Sequence, residues 1–179
     1  LGNHRVMCGD STSIDAVEKL MDGQKADVLF TDPPYGYKYQ SNYQNKHKML
    51  LNDDLMLDFA PVAHAALFDN SAVYVCGSFQ TINKWINYIS ESFNYKNLIV
   101  WKKNNWSMGD LKGAFAGQHE LIIFAHKGKV ELIGNRDPDV WTFDRVPPKI
   151  HPTQKPIDLI NYALSKVKSG NTLDLFGGS

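Results

Sequence analysis

Short runs that are mostly apolar throughout, rather than alternating with polar residues, recur along this chain. They lie at Arg5–Cys8, Val28–Thr31, Ala72–Cys76, Leu98–Trp101, Leu121–Ala125 and Thr172–Phe176. Runs of this kind suit strands covered on both faces. Helical periodicity falls between them, at Ser13–Met21, Leu55–Leu67, Phe79–Ser92 and Ile157–Val167. Pro156 stands where a helix tolerates proline, at its first turn. Strands alternating with helices predict an α/β fold: a doubly wound, mostly parallel, Rossmann-like sheet. At 179 residues the chain is most simply one domain with a substantial core.

Composition narrows the functional classes. With 43% hydrophobic and 21% charged residues, the chain reads as globular rather than disordered. No apolar run approaches a membrane span, and the first residues lack a signal-peptide pattern, so no membrane partner is expected. Cys8 and Cys76 are the only cysteines and fit no metal-ligand spacing. They are expected as two buried apolar thiols of a protein kept in a reducing cytoplasm. The formal net charge is zero, so any attraction to nucleic acid must come from a local basic face.

Candidate chemistry concentrates at Asp32-Pro33-Pro34-Tyr35, which follows the apolar run Ala26–Thr31. Proline has no backbone donor and a fixed φ, so the carbonyls before and between the prolines join no helix or ladder. An acid, free carbonyls and an aromatic ring make a rigid mouth that only accepts hydrogen bonds. A planar base with an exocyclic amino group needs that combination. A plain strand-to-loop turn is the bland alternative.

Three further segments are weaker when taken singly. Thr172–Ser179 runs from a strand into Phe176-Gly177-Gly178, as in nucleotide-binding sheets, although glycine pairs are commonly just turns. His151-Pro152-Thr153-Gln154-Lys155-Pro156 also reads as the approach to a helix carrying a solvated lysine. Asp10, after Cys8-Gly9, also reads as a helix cap, a job that Ser11 or Ser13 could share. Two stretches look like loops, Gly36–Asn52 and Gly128–Thr153. Lys38, Lys46, His47 and Lys48 cluster with Tyr37, Tyr39 and Tyr43 in the first, and Lys102, Lys103, Asn104, Asn105 and Trp106 form a second group. Such mixtures suit phosphate and base contacts, and equally suit solvated loops.

Taken in order, Asp-Pro-Pro-Tyr, His-Pro-Thr-Gln-Lys-Pro and Asp-Leu-Phe-Gly-Gly-Ser resemble the amino-methylating DNA methyltransferases. The order resembles the family's beta group, whose catalytic motif precedes the cofactor loop. The resemblance runs from Arg5 to Ser179 and includes Val73–Val75, Ile99–Lys103 and His119–Phe124 as intermediate strands. Three motifs in the right order are far more specific than any one of them.

The resemblance implies a permuted methyltransferase sheet, S-adenosylmethionine as cofactor and double-stranded DNA as partner. A base would be flipped from the helix, because its amino group is buried in the pair and the stack. Asp32 and the Pro33 carbonyl would accept from that amino group, Pro34 would stiffen the mouth, and Tyr35 would stack on the base. The Asp-Pro-Pro-Tyr form implies adenine; cytosine, or a catalytically silent DNA-binding relic of the fold, are the alternatives. Phe176, Gly177 and Gly178 would surround the cofactor's methionine and ribose, with Asp174 ordering the turn. Lys155 and Thr153 would close the methionine side, and Asp10 would lie near the adenine end. Lys38, Tyr39, Lys46, Lys48, Lys102 and Lys103 would face DNA. No metal is implied. The family context is a bacterial cytoplasm or a phage-infected host, with a homodimer and a cognate restriction nuclease as further partners it leaves open.

Two features depart from the family pattern. The segment 128–153, where target recognition would be expected, is short and suits a short or relaxed site. The sequence also ends at Ser179 inside the glycine turn, ahead of an expected helix, strand and ribose-binding acid. Without that strand, Arg5–Cys8 would lack a neighbour, and this chain is expected to bind the cofactor poorly.

Overall fold

A computed structural model describes residues 2–36, 57–107, 111–145, 154–168 and 170–177. In chain order the elements are α1 (Ile14–Met21), β1 (Ala26–Thr31), α2 (Ala60–Ala66), β2 (Leu67–Gly77), α3 (Ile82–Ser92), β3 (Asn94–Lys102), β4 (His119–Lys127), β5 (Val140–Thr142), α4 (Ile157–Ser165) and β6 (Thr172–Leu173).

The six strands form one sheet in the order β5-β3-β4-β2-β1-β6. Strand β1 runs parallel to β2 and β6, and β3 runs parallel to β5. Only β4 is reversed, antiparallel to both β2 and β3. Its first residues therefore lie on the edge where the other strands end. The doubly wound, mostly parallel sheet expected from the sequence is present.

Strand pleating sorts the core into two layers, because successive side chains point to opposite faces. Leu29, Val73, Val75, Ile123 and Ala125 share one layer with Val17 of α1, Val62 and Ala63 of α2, and Trp85 and Ile89 of α3. Val28, Phe30, Tyr74, Ile122 and Phe124 face the other, beneath Leu159 and Ala163 of α4. Helices thus cover both faces, which is why the strands read as apolar throughout.

Local chemistry sets the helix boundaries. The Ser13 side chain accepts from Ala16 N–H and caps α1, while Asp22 closes it in the left-handed region at φ 49°. Helix α2 carries Pro61 in its first turn and no side-chain cap of its own. The Tyr88 hydroxyl instead accepts from Ala60 N–H at 2.7 Å and donates to Asp58.

Three expectations need correcting. Arg5–Cys8 forms no strand. Among the described residues the sheet's edge strand on that side is β6, and Arg5 donates to the Leu20 and Met21 carbonyls and to Asp22 at the end of α1. A cation there satisfies terminal carbonyls and complements the helix dipole. Cys8, expected buried, is exposed, whereas Cys76 is buried. The 128–153 segment is not wholly loop: Val140–Thr142 pairs with β3 and buries Trp141. Among the described residues no helix is long and apolar enough to cross a membrane, and no cluster of His, Cys, Asp and Glu could hold a metal.

Candidate active site

Strands β1 and β6 are parallel neighbours, so Asp32 and the turn after Leu173 leave the sheet side by side. The crossovers through α2 and α3 cover one face, and the return through α4 covers the other. The strand order therefore reverses between β6 and β1, where open α/β sheets form a ligand crevice. Thr31, fully buried, ties the two strand ends together. Its hydroxyl donates to Asp174 Oδ1 at 2.8 Å and accepts from Leu175 N–H at 3.2 Å. Asp174 Oδ1 also accepts from Phe176 N–H at 3.0 Å, which closes the turn. The Phe176 ring packs edge-on against Phe59 at 5.3 Å.

The proline mouth is anchored from below. The Tyr35 carbonyl accepts from Thr81 Oγ1 at 2.9 Å and from Trp85 Nε1 at 3.3 Å, both at the start of α3. Pro33 is buried, while Asp32, Pro34 and Tyr35 are half-buried. The Tyr35 hydroxyl donates to Asp32 Oδ1 at 2.8 Å. Burial, followed by the Asp32 charge, pushes this phenol well above its ordinary pKa, so it stays protonated and keeps donating.

Lys155 reaches the same carboxylate from the segment before α4. Its Nζ lies 2.5 Å from Asp32 Oδ2, 3.1 Å from the Tyr35 hydroxyl and 3.3 Å from Glu120 Oε2. The lysine side chain is only 7% exposed. Burial opposes its charge, but the carboxylates of Asp32 and Glu120 outweigh that and hold its pKa well above the ordinary value. Glu120 is the second residue of the reversed strand β4, and its Oε1 receives Lys103. Burial would raise the Glu120 carboxyl, yet Lys155 and Lys103 together bring it below the ordinary value. Asp32, Glu120, Lys155 and Lys103 form a charge-balanced array at the mouth.

A family model described as DNA methylase matches residues 26–179. The chain belongs to the DNA methylase family. Membership makes this methylase a DNA methyltransferase. It is similar to the type II methyltransferase M2.MboI of Moraxella bovis, at 26% identity over 201 residues, spanning 93% of this chain and 73% of that protein. Its fold is similar to that of solved structures, among them two of M1.HpyAVI. One is the M1.HpyAVI–SAM complex, at TM-score 0.69 and 21% identity, covering 97% of this chain and 82% of that one. The other is M1.HpyAVI alone, at TM-score 0.68 and 20% identity, covering 95% of this chain and 79% of that one.

The structure brings together Asp32, Pro33, Pro34, Tyr35, Asp174 and Phe176, with Gly177 exposed beyond them. Asp10 sits in its own turn ahead of α1, where its carboxylate accepts from Thr12 N–H at 2.9 Å and Thr12 Oγ1 at 2.7 Å. Lys102 is exposed. Lys103, expected to face DNA, instead binds Glu120 and stands 5.0 Å over the Trp101 ring. Lys155, expected on the cofactor side, meets Asp32. Lys38, Tyr39, Lys46, Lys48, Thr153 and Gly178 lie outside the described residues. Sequence reasoning missed Glu120, Thr31, Thr81 and Trp85. The one available signal was an acid opening an otherwise apolar strand, His119-Glu120-Leu121.

Proposed function

We propose that this DNA methylase transfers a methyl group from S-adenosylmethionine to the exocyclic amino nitrogen of an adenine extruded from double-stranded DNA. The observation that carries the reading is the adjacency of the Asp32 mouth and the Asp174–Phe176 turn at the point where the strand order reverses.

The residues at this crevice fit the cofactor. Carboxylates at Asp32 and Asp174 suit a cationic sulfonium, and the Phe176 ring offers apolar surface beside them. Gly177 is exposed, and a side chain there would begin to fill the space over Asp174, whose Oδ2 would lie 3.6 Å from its Cβ. In this reading Asp174, Phe176 and Gly177 hold the cofactor, with Asp10, Thr153 and Gly178 completing the site. When bound, S-adenosylmethionine supplies a methyl group already activated on sulfur.

The chain's own residues do the rest. Asp32 and the Pro33 carbonyl accept the two amino hydrogens and draw the nitrogen lone pair out of conjugation with the ring. Pro34 holds the mouth stiff, and Tyr35 forms its aromatic wall. No strong base is required to begin, so the rate comes from positioning and from a carboxylate placed where positive charge develops. Lys102 and exposed Trp106 stand at the same sheet edge and suit contact with the DNA backbone and bases. A short recognition segment within 128–153, a second copy of the chain and a nuclease of matching specificity are compatible with this reading.

Labelled S-adenosylmethionine incubated with the protein and plasmid DNA, followed by nucleoside analysis, tests the proposal. Methyladenine that disappears with Asp32→Ala is the expected result. Methylcytosine would reassign the base, and DNA binding without any transfer would refute the enzymatic reading.

A further inference from the structure

Both oxygens of Asp32 are already engaged, Oδ1 by the Tyr35 hydroxyl and Oδ2 by Lys155. Each oxygen keeps a further lone pair, so an amino group can reach this carboxylate, but the Lys155 ammonium neutralises the charge that would hold it. Lys155 cannot simply retreat to water, since its side chain is almost fully enclosed. A buried ammonium without a counter-charge costs several kcal/mol. Glu120 offers an alternative. Its Oε2 is buried and already pairs with Lys155 Nζ at 3.3 Å, a longer contact than the 2.5 Å from that ammonium to Asp32 Oδ2. Its Oε1 is held by Lys103, which fixes the carboxylate in place.

We propose that Glu120 is a second seat for Lys155, so that arrival of the base moves the ammonium hydrogen bond from Asp32 Oδ2 to Glu120 Oε2 and frees Asp32 for the amino group. The inference rests on the reading of Asp32 as the amino acceptor. Glu120 is a positioning residue here, acting through Lys155 without touching the base. The shift needs only rotation at the end of one side chain. It conserves charge, because the lysine stays paired and Asp32 becomes the single carboxylate facing the base. The array stays balanced throughout, and only the Asp32 carboxylate loses its ammonium when a base arrives.

The test uses DNA with 2-aminopurine at the methylated position, whose fluorescence rises when the base leaves the stack, together with single-turnover methyl transfer. Glu120→Gln keeps the volume but removes the second seat. It is expected to lower the fluorescence rise and to slow transfer by about tenfold or more, with cofactor affinity changed less than about twofold. Lys155→Met removes the competitor. In that background Glu120→Gln is expected to change the fluorescence rise by less than about twofold, because its effect runs through Lys155. Equal losses from Glu120→Gln in both backgrounds would overturn the proposal, as would wild-type fluorescence and rate in the single variant. Should Glu120→Gln fail to fold, Lys155→Met alone decides: a fluorescence rise at or above wild type supports a displaced competitor, and a lower one refutes it. Transfer that survives Asp32→Ala would instead remove the underlying reading.

Discussion

The Thr31 hydroxyl donates to the Asp174 carboxylate at 2.8 Å although 143 residues separate them in the chain. This bond joins the last residue of β1 to the first residue after β6, and so joins the motif expected to hold the base to the turn expected to hold the cofactor. Thr31→Val keeps the shape and removes both hydroxyl bonds, leaving Leu175 N–H without that partner, while Asp174, open to solvent, keeps Phe176 N–H. A hydrogen bond of this kind contributes about 0.5–1.5 kcal/mol. Urea unfolding should show a loss in that range, and calorimetry should show weaker S-adenosylmethionine binding. Unchanged affinity would mean that the turn holds its shape without β1.

The mouth depends equally on α3. Thr81 and Trp85 donate to the same Tyr35 carbonyl, and Trp85 is fully buried. Trp85→Phe retains most of the ring and removes the indole donor. Misplacement of the mouth by a fraction of an ångström should slow transfer by about tenfold or more, with a stability loss near 1–2 kcal/mol. Single-turnover kinetics beside chemical denaturation would separate the two effects. A rate falling only as far as the folded fraction falls would assign Trp85 to packing alone.

What the sequence disclosed follows from the range of each interaction. Strands β1, β2 and β4 were legible because burial on both faces demands continuous apolar runs. Asp32 and the Asp174 turn were legible because proline and glycine fix the backbone locally. Arg5–Cys8 was read as a strand from its apolar pattern, with its want of a ladder neighbour already visible, and among the described residues it pairs with no strand. Strand β5 was missed because three residues carry no period, and its burial comes from Trp141 meeting Tyr74 and Tyr162. Glu120 was hidden because its position at the mouth depends on β4 running against its neighbours, which no local spacing encodes. Lys103 and Lys155 were both noticed as cations, but their partners are set by the fold and not by the motif.

Acid should destabilise the protein partly through Glu120. Burial raises this carboxyl, Lys155 and Lys103 lower it further, and the net folded-state pKa lies below the ordinary 4.5. A depressed pKa means that the unfolded chain takes up the proton first. The stabilising contribution is therefore complete above pH 4.5 and is lost as pH falls through the depressed value. Denaturant unfolding measured between neutral pH and about pH 3 should fall more steeply for the native chain than for Glu120→Gln. Parallel acid limbs would remove Glu120 from the account.

Trp141 decides whether β5 belongs to the folding unit or is merely laid against it. Its indole donates to the Pro138 carbonyl at 3.1 Å, and its ring meets Tyr162 edge-on at 4.9 Å. Val100 N–H donates to Asp139 and Phe143 N–H to Lys102, so the backbone of this segment is stitched to β3 on both sides of the tryptophan. Truncating a buried tryptophan to alanine costs about 3–5 kcal/mol, and a strand at the sheet edge can relax toward the lower figure. Trp141→Ala should therefore lower global stability by about 3 kcal/mol, because the cavity opens in the same apolar layer that carries Tyr74, Phe124 and α4. A docked loop would behave differently. Its loss would speed hydrogen exchange at Val100 and Phe143 and leave the unfolding midpoint in place, because the layer beneath would close without it.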